Sequence, residues 1–549
     1  MKVNPILLTD GYKTGHHQQY PDGTEMVYSN WTPRSNRHAP KGCEKVVSFG
    51  QQMILRWLDA TFNEEFFAKP KDEVCGMIKK ELSTYLQCDY DVTHFEKLHD
   101  LGYLPIHVKS IPEGTEVPIR VPMLTIKSTQ GFGWVTNFLE TILSTMLWQP
   151  MTSATIALNY RRTMTEWAMK TDPENSWVID WQCHDFSMRG MGGLMSAILS
   201  GCGHAAVFSG SDTLPVIQAM KEYYDAEEFV VGSVNATEHS VMCAGTKDDE
   251  IGTFRRLLNI YPTGILSVVS DTWDLWHVLT GILPQIKDEV LARDGKLVIR
   301  PDSGDPVDII CGLKEIESAE EIDTENDGVY IIKGKKWHFD ADQWEDLLQE
   351  YGEYCWEEFY CLHENPENFS NWSGDVLSEV KEGNPSEVKG VIELLWDLFG
   401  GTVNEQGYKV LNPKIGAIYG DSITPDRARQ ICERLAAKGF ASTNIVLGVG
   451  SYTYQYNTRD TFGFAMKATY IEVNGEGREI FKDPATDSGT KKSAKGLIRI
   501  DKAEGEYVLV DQVSWEEEEK GELQTIYKDG KFENQVTMET IRERIKSLV

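Results

Sequence analysis

Along this 549-residue chain, seven short apolar runs each give way to a polar signature rich in Asp, His, Arg, Gly or Ser. In order they are Trp177 to Asp180 before HDFSMRG, Ala205 to Phe208 before SGSDT, and Phe229 to Val231 before GSVNATEHS. Ile265 to Val269 then precedes SDTWD, Leu297 to Ile299 precedes RPDSGDP, Gly416 to Tyr419 precedes GDS, and Ile445 to Leu447 precedes GVGS. Between Cys183, Gly210, Thr237, Val269, Arg300, Tyr419 and Leu447 the steps are 27, 27, 32, 31, 119 and 28 residues. A step of about 30 residues holds one strand, one loop and one helix. The intervening segments have helical spacing: Leu214 to Ala226 is one, and ITPDRARQICERLAAKGF offers Thr424 as N-cap, Pro425 at the first helical position and Gly439 as stop. Such repeats predict a parallel sheet covered by helices, either a barrel or a doubly wound sheet, with ligands at the carboxyl ends of the strands. For any one signature, the plainer explanation that loops are polar because they face water stays open. Seven in series argue for a site.

The step of 119 residues is the exception. Removing about 80 residues, from Asp308 to Glu387, brings it near the others, so the expected organisation is a repeated core interrupted by an insertion. From Lys314 to Gly400 there are 23 acidic residues against 6 lysines. Trp337, Phe339, Trp344, Leu347, Leu348, Tyr351, Trp356 and Phe359 give this segment enough apolar surface to fold, which a disordered acidic tract lacks. Residues 1–150 carry several short strands, and beyond Arg459 the chain again reads as β-hairpins with Gly-containing turns. The expected domains are therefore a β-rich flank from 1–150 and 461–549, a catalytic core at 151–460, and the acidic insertion at 308–387 within it.

Composition narrows the classes. A formal charge of −31 argues against a nucleic-acid partner, which needs clustered Lys and Arg. No apolar stretch approaches the roughly 18 residues of a membrane span, and the start lacks a signal-peptide layout, so a cytoplasmic protein without membrane attachment is expected. Ten cysteines show no CxxC pair, which speaks against structural zinc or a disulfide framework.

In so acidic a chain the cations near signatures are informative. Arg189, Arg300 and Arg459 each lie in or just past one, and guanidinium donors suit phosphate oxygens. Gly448-Val449-Gly450-Ser451 can aim backbone N–H groups at a phosphate. Each Arg alone fits an ordinary ion pair, and a lone GxGS is weak; together they suggest a ligand with phosphate at both ends. Asp302, Asp271 and Asp421 stand at strand ends, where carboxylates accept from sugar hydroxyls or hold Mg²⁺ with substrate phosphates. His239, in ATEHS, can shuttle protons, bind phosphate or become phosphorylated, or be a satisfied structural His.

These residues, with NPILLTDGYKTGHHQQYP, HDFSMRG, GSDT, ATEHS, SVVSDTWD, IRPDSG, GDS, TRD and FKDP in order, resemble the nicotinamide phosphoribosyltransferase family of type II phosphoribosyltransferases. The resemblance covers nearly the whole chain outside the insertion. It implies an α/β fold: a (β/α) barrel-like core with a flanking β-rich domain built from both chain ends and an acidic insertion. It also implies that nicotinamide and 5-phosphoribosyl 1-pyrophosphate give nicotinamide mononucleotide and pyrophosphate, with Mg²⁺, in a homodimer with shared active sites. By that resemblance Phe186 and Tyr12, the latter from the other subunit, sandwich the pyridine ring, and Asp212 accepts from the carboxamide. Arg189, Arg300 and His239 hold pyrophosphate, Asp302 takes ribose hydroxyls, and Gly420, Asp421, Gly450 and Ser451 surround the 5-phosphate. Arg34, Arg459, Lys467 and Lys482 match phosphate positions supplied across the dimer, and Asp10 and Ser233 complete the substrate-binding set. His239, Asp302, Asp271 and Arg300 form the expected catalytic group, with ATP as an activator through phosphorylation of His239; the metal ligands are left open. Ser451 stands where the family usually has Gly, Ala465 where Ser is usual, and Asn235 and Thr237 alter the usual PAAEHS run.

Two rival functions are a nicotinate phosphoribosyltransferase and a non-catalytic nucleotide-binding protein on the same fold. Asp212 weighs against the first, because an ionised carboxylate accepts from an amide and repels a second carboxylate. The joint presence of His239, Asp302, Arg189 and Arg300 weighs against the second.

Overall fold

The structure is a computed structural model that describes the chain except residues 1–2, 228, 318–320, 326, 333, 352–375, 381–383, 421 and 483–492. It divides into two compact units: residues 1–162, 184–232 and 450–549, and residues 163–183 and 233–449.

In the first unit both ends of the chain share one antiparallel sheet. Its strands run in the order Glu476–Glu479, Ala465–Val473, Thr24–Thr32, Leu124–Ser128, Ile106–Ser110, Gln524–Lys528 and Lys531–Phe532. The central partners are Thr24–Thr32 and Ala465–Val473, paired from Thr24 opposite Val473 to Thr32 opposite Ala465 with register shifts between Thr24 and Met26 and between Tyr28 and Ser29. Thr24–Thr32 is buried over most of its length, so both faces are covered rather than one, and Trp31 stacks on Phe464 with centroids 5.1 Å apart. The hairpin turns fall where residues tolerate positive φ: Asn474-Gly475 and Glu504-Gly505. The same unit also holds helices at Gln51–Phe62, Lys71–Leu86 and Thr93–Leu101, for which the strand patterns of the sequence gave no warning.

The second unit contains parallel strands in the order Ile445–Val449, Ile415–Tyr419, Asp294–Arg300, Thr263–Val269 and Asn235–Ala236. Its helices are capped as the sequence dictates: the Thr424 hydroxyl accepts from the Arg427 N–H, Pro425 opens the helix Pro425–Ala437, and Gly439 beyond it has φ of 75°. Four of the seven predicted runs are thus parallel strands. The first three are corrected. Trp177 and Val178 close a 3-10 turn and Ile179–Gln182 is helical, the strand being Cys183–Asp185; Ala205 ends the helix Leu194–Ala205; and Phe229 to Val231 forms no strand. In the first unit parallel pairing shrinks to single bridges, Asp185 with Ser211 and Gly210 with Gly232.

The described part of the insertion is a folded subdomain. Its sheet runs Lys314–Ile316, Gly328–Ile332, Lys335–Phe339 and Leu377–Glu379, with the helix Ala341–Tyr351 beside it. Trp337, Phe339 and Trp344 are buried at its centre with Ile316, Tyr330 and Leu377, and Leu347 and Leu348 pack against them. Trp356, Phe359 and the Tyr351 side chain lie outside the described residues. Among the described residues no helix is long and apolar enough to cross a membrane.

Candidate functional site

In the second unit, four strand ends bring the expected phosphate-handling residues together. Asp271 follows Thr263–Val269 with its side chain buried, and its Oδ2 accepts from the Asp302 N–H at 2.9 Å and from the Ser303 hydroxyl at 2.6 Å. These two bonds tie the RPDSG loop to the neighbouring strand end. Arg300, the last residue of its strand, places Nη2 3.4 Å from Asp302 Oδ1. Gly420 follows Ile415–Tyr419 and donates its N–H to the Pro301 carbonyl at 3.2 Å. A Cβ there would lie 2.1 Å from Asp302 Oδ1 and 2.6 Å from Arg300 Nε, so glycine leaves both side chains in place where a larger residue would displace them. Asp421 lies outside the described residues.

His239 opens a short helix after Asn235–Ala236 and is about half exposed. Its Nε2 lies 3.3 Å from Asp271 Oδ1, within ion-pair range but without hydrogen-bond alignment, so the buried Oδ1 accepts no hydrogen bond among the described residues. The unusual Thr237 has a local explanation: its hydroxyl accepts from the Val269 N–H at 2.9 Å, fastening the ATEHS segment to the strand before Asp271. Ser233 is exposed on the segment leading into that strand.

The first unit holds two further groups. In one, His184 Nε2 lies 2.9 Å from Asp212 Oδ1, and the His184 and Phe186 rings are 4.6 Å apart. Arg189 is exposed on the turn Met188–Gly190. That turn is held against the helix Ser451–Gln455, whose N-cap is Gly450: the Gly192 N–H donates to Gln455 Oε1 at 2.6 Å, and a Cβ on Gly190 would lie 2.0 Å from Ser451 Oγ. Ser451 is therefore accommodated because its neighbour is glycine.

The other group is cationic. Burial pulls the Lys467 ammonium below its ordinary value; Glu140 opposes this, and Arg34, Lys482 and Arg459 reinforce it. The four expected phosphate ligands of this unit thus sense one another. Glu140 also pairs with the buried Lys13 at 2.9 Å; burial, then Asp10 and then Glu140 raise the Tyr12 phenol. Tyr12 is 67% exposed, and Asp10 Oδ2 accepts from the Thr141 hydroxyl at 2.7 Å. Ala465, in its strand opposite Thr32, is buried and offers no hydroxyl.

His184 sits inside HDFSMRG, where residue type alone assigns it no role. The available signal was spacing: in a strand, His184 and Phe186 share a face. The anchoring role of the Ser303 hydroxyl likewise carries no signal in the sequence.

Asp271 and Asp302 are hard oxygen donors of the kind Mg²⁺ takes together with substrate phosphates, and the buried Asp271 Oδ1 has capacity for such a bond. Among the described residues no three His, Cys, Asp or Glu side chains are grouped to hold a metal by themselves.

Comparison with known proteins gives the family. Residues 181–338 and 373–537 match the nicotinate phosphoribosyltransferase (NAPRTase) family, and residues 4–97 match the nicotinamide phosphoribosyltransferase N-terminal domain. The chain is 44% identical over 557 residues to a nicotinamide phosphoribosyltransferase of Acinetobacter baylyi, covering 99% of this chain and 97% of that one. It is 34% identical to the protein of that name from Mycoplasma pneumoniae, over 89% and 94% of the two chains, and 28% identical to that of Xanthomonas campestris pv. campestris, over 98% and 97%. The chain belongs to the nicotinate phosphoribosyltransferase family and carries the N-terminal domain of nicotinamide phosphoribosyltransferases.

Proposed function

We propose that this enzyme transfers the phosphoribosyl group of 5-phosphoribosyl 1-pyrophosphate to the ring nitrogen of nicotinamide, forming nicotinamide mononucleotide and pyrophosphate in NAD salvage. The observation that carries the choice of base is the Asp212 carboxylate, held by His184 beside the Phe186 ring. The reaction makes two demands. A flat neutral base must be held with its nitrogen free to attack, and a diphosphate must be neutralised as it leaves.

The first unit answers the first demand. Phe186 offers an aromatic face for the pyridine ring, and Asp212 accepts from its carboxamide NH₂, which a carboxylate in the same place would not supply. The second unit answers the other. Arg300 and His239 present cationic or donor groups to the diphosphate, Asp302 accepts from ribose hydroxyls, and Gly420 leaves room for the 5-phosphate. Bound through Asp271 and Asp302, Mg²⁺ would neutralise charge on the leaving diphosphate. The attack needs no nucleophilic side chain; orientation and electrostatics suffice for a cationic, oxocarbenium-like transition state.

Three further parts of the proposal concern assembly and regulation. Arg34, Arg459, Lys467 and Lys482, with Tyr12 and Asp10, serve the active site of a partner subunit in a homodimer. ATP activates by phosphorylating His239. The protein works in the cytoplasm. Absence of label on His239 after incubation with γ-labelled ATP would remove the second part.

The direct test of base choice is Asp212→Ser. It should raise nicotinate turnover relative to nicotinamide by about tenfold or more; an unchanged ratio would show that Asp212 does not read the base.

A further inference from the structure

The tripeptide His184-Asp185-Phe186 overlaps the strand Cys183–Asp185, and alternation sends His184 and Phe186 to one side and Asp185 to the other. Asp185 is fully buried and organises the segment that carries Asp212. Its carbonyl accepts from the Asp212 N–H at 2.9 Å, and its carboxylate accepts from the Ser187 N–H at 2.9 Å and from the hydroxyls of Thr213 and Ser211 at 2.7 and 3.3 Å. His184 then reaches the Asp212 side chain itself, Nε2 to Oδ1 at 2.9 Å. One strand residue fixes the Asp212 backbone, and the residue before it fixes the carboxylate.

The two partners differ in exposure. The His184 side chain is 9% exposed and rests against the Phe186 ring, whereas the Asp212 side chain is 43% exposed. The well-covered imidazole, resting on the Phe186 ring, thus gives the more open carboxylate a fixed donor at 2.9 Å. An ionised carboxylate can only accept, which puts the proton of this contact on Nε2.

We infer that His184 is a positioning residue for base selection: its Nε2–H holds the Asp212 carboxylate in the orientation that accepts the carboxamide of nicotinamide and turns nicotinate away. This rests on the proposed choice of base. Phe186 stacking and Asp212 reading are thereby linked, since the same imidazole touches both side chains.

The experiment compares wild type with His184→Ala, His184→Gln and His184→Asn. It measures kcat and KM separately for nicotinamide and nicotinate, and KM for phosphoribosyl pyrophosphate. His184→Ala should raise the nicotinamide KM by about tenfold with a smaller effect on kcat, and narrow the nicotinamide preference by a similar factor. Gln carries an amide donor to the Nε2 position and should restore most of both, while the KM for phosphoribosyl pyrophosphate stays near the wild-type value. If the Ala variant does not fold, the Gln and Asn pair decides, because Asn is too short to reach Asp212. Equal preference in those two, or an unchanged preference in His184→Ala, overturns the inference. A wild-type protein that prefers nicotinate refutes the base itself, a result separate from lost discrimination on changing His184.

Discussion

The Asp302 backbone N–H donates to the Asp271 carboxylate at 2.9 Å, so one buried acid anchors the loop that carries the other. The Ser303 hydroxyl binds the same oxygen. Asp271 therefore has two separable duties, loop anchoring and negative charge. Asp271→Asn retains an acceptor oxygen for the loop and removes the charge. The expected outcome is an unfolding midpoint close to wild type with kcat/KM reduced by about a hundredfold. Asp271→Ala should lower both activity and stability. Near-wild-type activity in the Asn variant would show that the charge is unnecessary.

Gly190 and Ser451 should be energetically coupled. A Cβ on Gly190 falls 2.0 Å from Ser451 Oγ, so Gly190→Ala must displace that side chain or the turn bearing Arg189. Ser451→Gly removes the obstacle. Thermal unfolding of both single variants and the double variant is expected to give a coupling of about 1 kcal/mol or more, the double being more stable than Gly190→Ala alone. Strict additivity would contradict the contact.

A pH effect is expected from Glu250, which is buried with Oε1 accepting no hydrogen bond among the described residues. Burial, then repulsion from Asp274, raises its carboxyl to about 7, with Lys247 opposing. Between its ordinary value of 4.5 and about 7 the folded state keeps a proton that the unfolded chain has released, so this group costs stability as pH rises through that window and the cost levels off above it. Glu250→Gln mimics the protonated form. It should match wild type at pH 4 and unfold at a higher temperature at pH 8, by roughly a few degrees. An equal difference at both pH values would show that Glu250 does not titrate in this way.

The proposed sharing of active sites in a homodimer predicts complementation. Asp302→Ala and Lys467→Ala homodimers should each be nearly inactive. Random exchange of subunits makes half the dimers mixed, each with one intact site, so about one quarter of wild-type activity should return. No recovery after demonstrated exchange would mean that Lys467 serves its own subunit.

The parallel strands of the second unit were legible because Ile265 to Val269, Leu297 to Ile299, Gly416 to Tyr419 and Ile445 to Leu447 are short apolar runs rich in β-branched residues between turn signals. The first three runs misled for an equally physical reason. An apolar stretch such as Ala205 to Phe208 has the same periodicity whether it ends a helix or forms a strand, and here it closes the helix Leu194–Ala205. Pro150 likewise hides the helix Val135–Thr171, which passes through it. Of the site, residue types at strand ends could be read directly. The Asp271 anchor, the Gly190–Ser451 fit and the His184–Asp212 contact could not, because each depends on partners brought together by the fold.

The most direct measurement supplies the purified protein with Mg²⁺, 5-phosphoribosyl 1-pyrophosphate and equal nicotinamide and nicotinate, then identifies and quantifies the products. Nicotinamide mononucleotide is expected as the dominant nucleotide, with one pyrophosphate released for each. Equal or greater formation of the nicotinate nucleotide, or no nucleotide from either base, would contradict it.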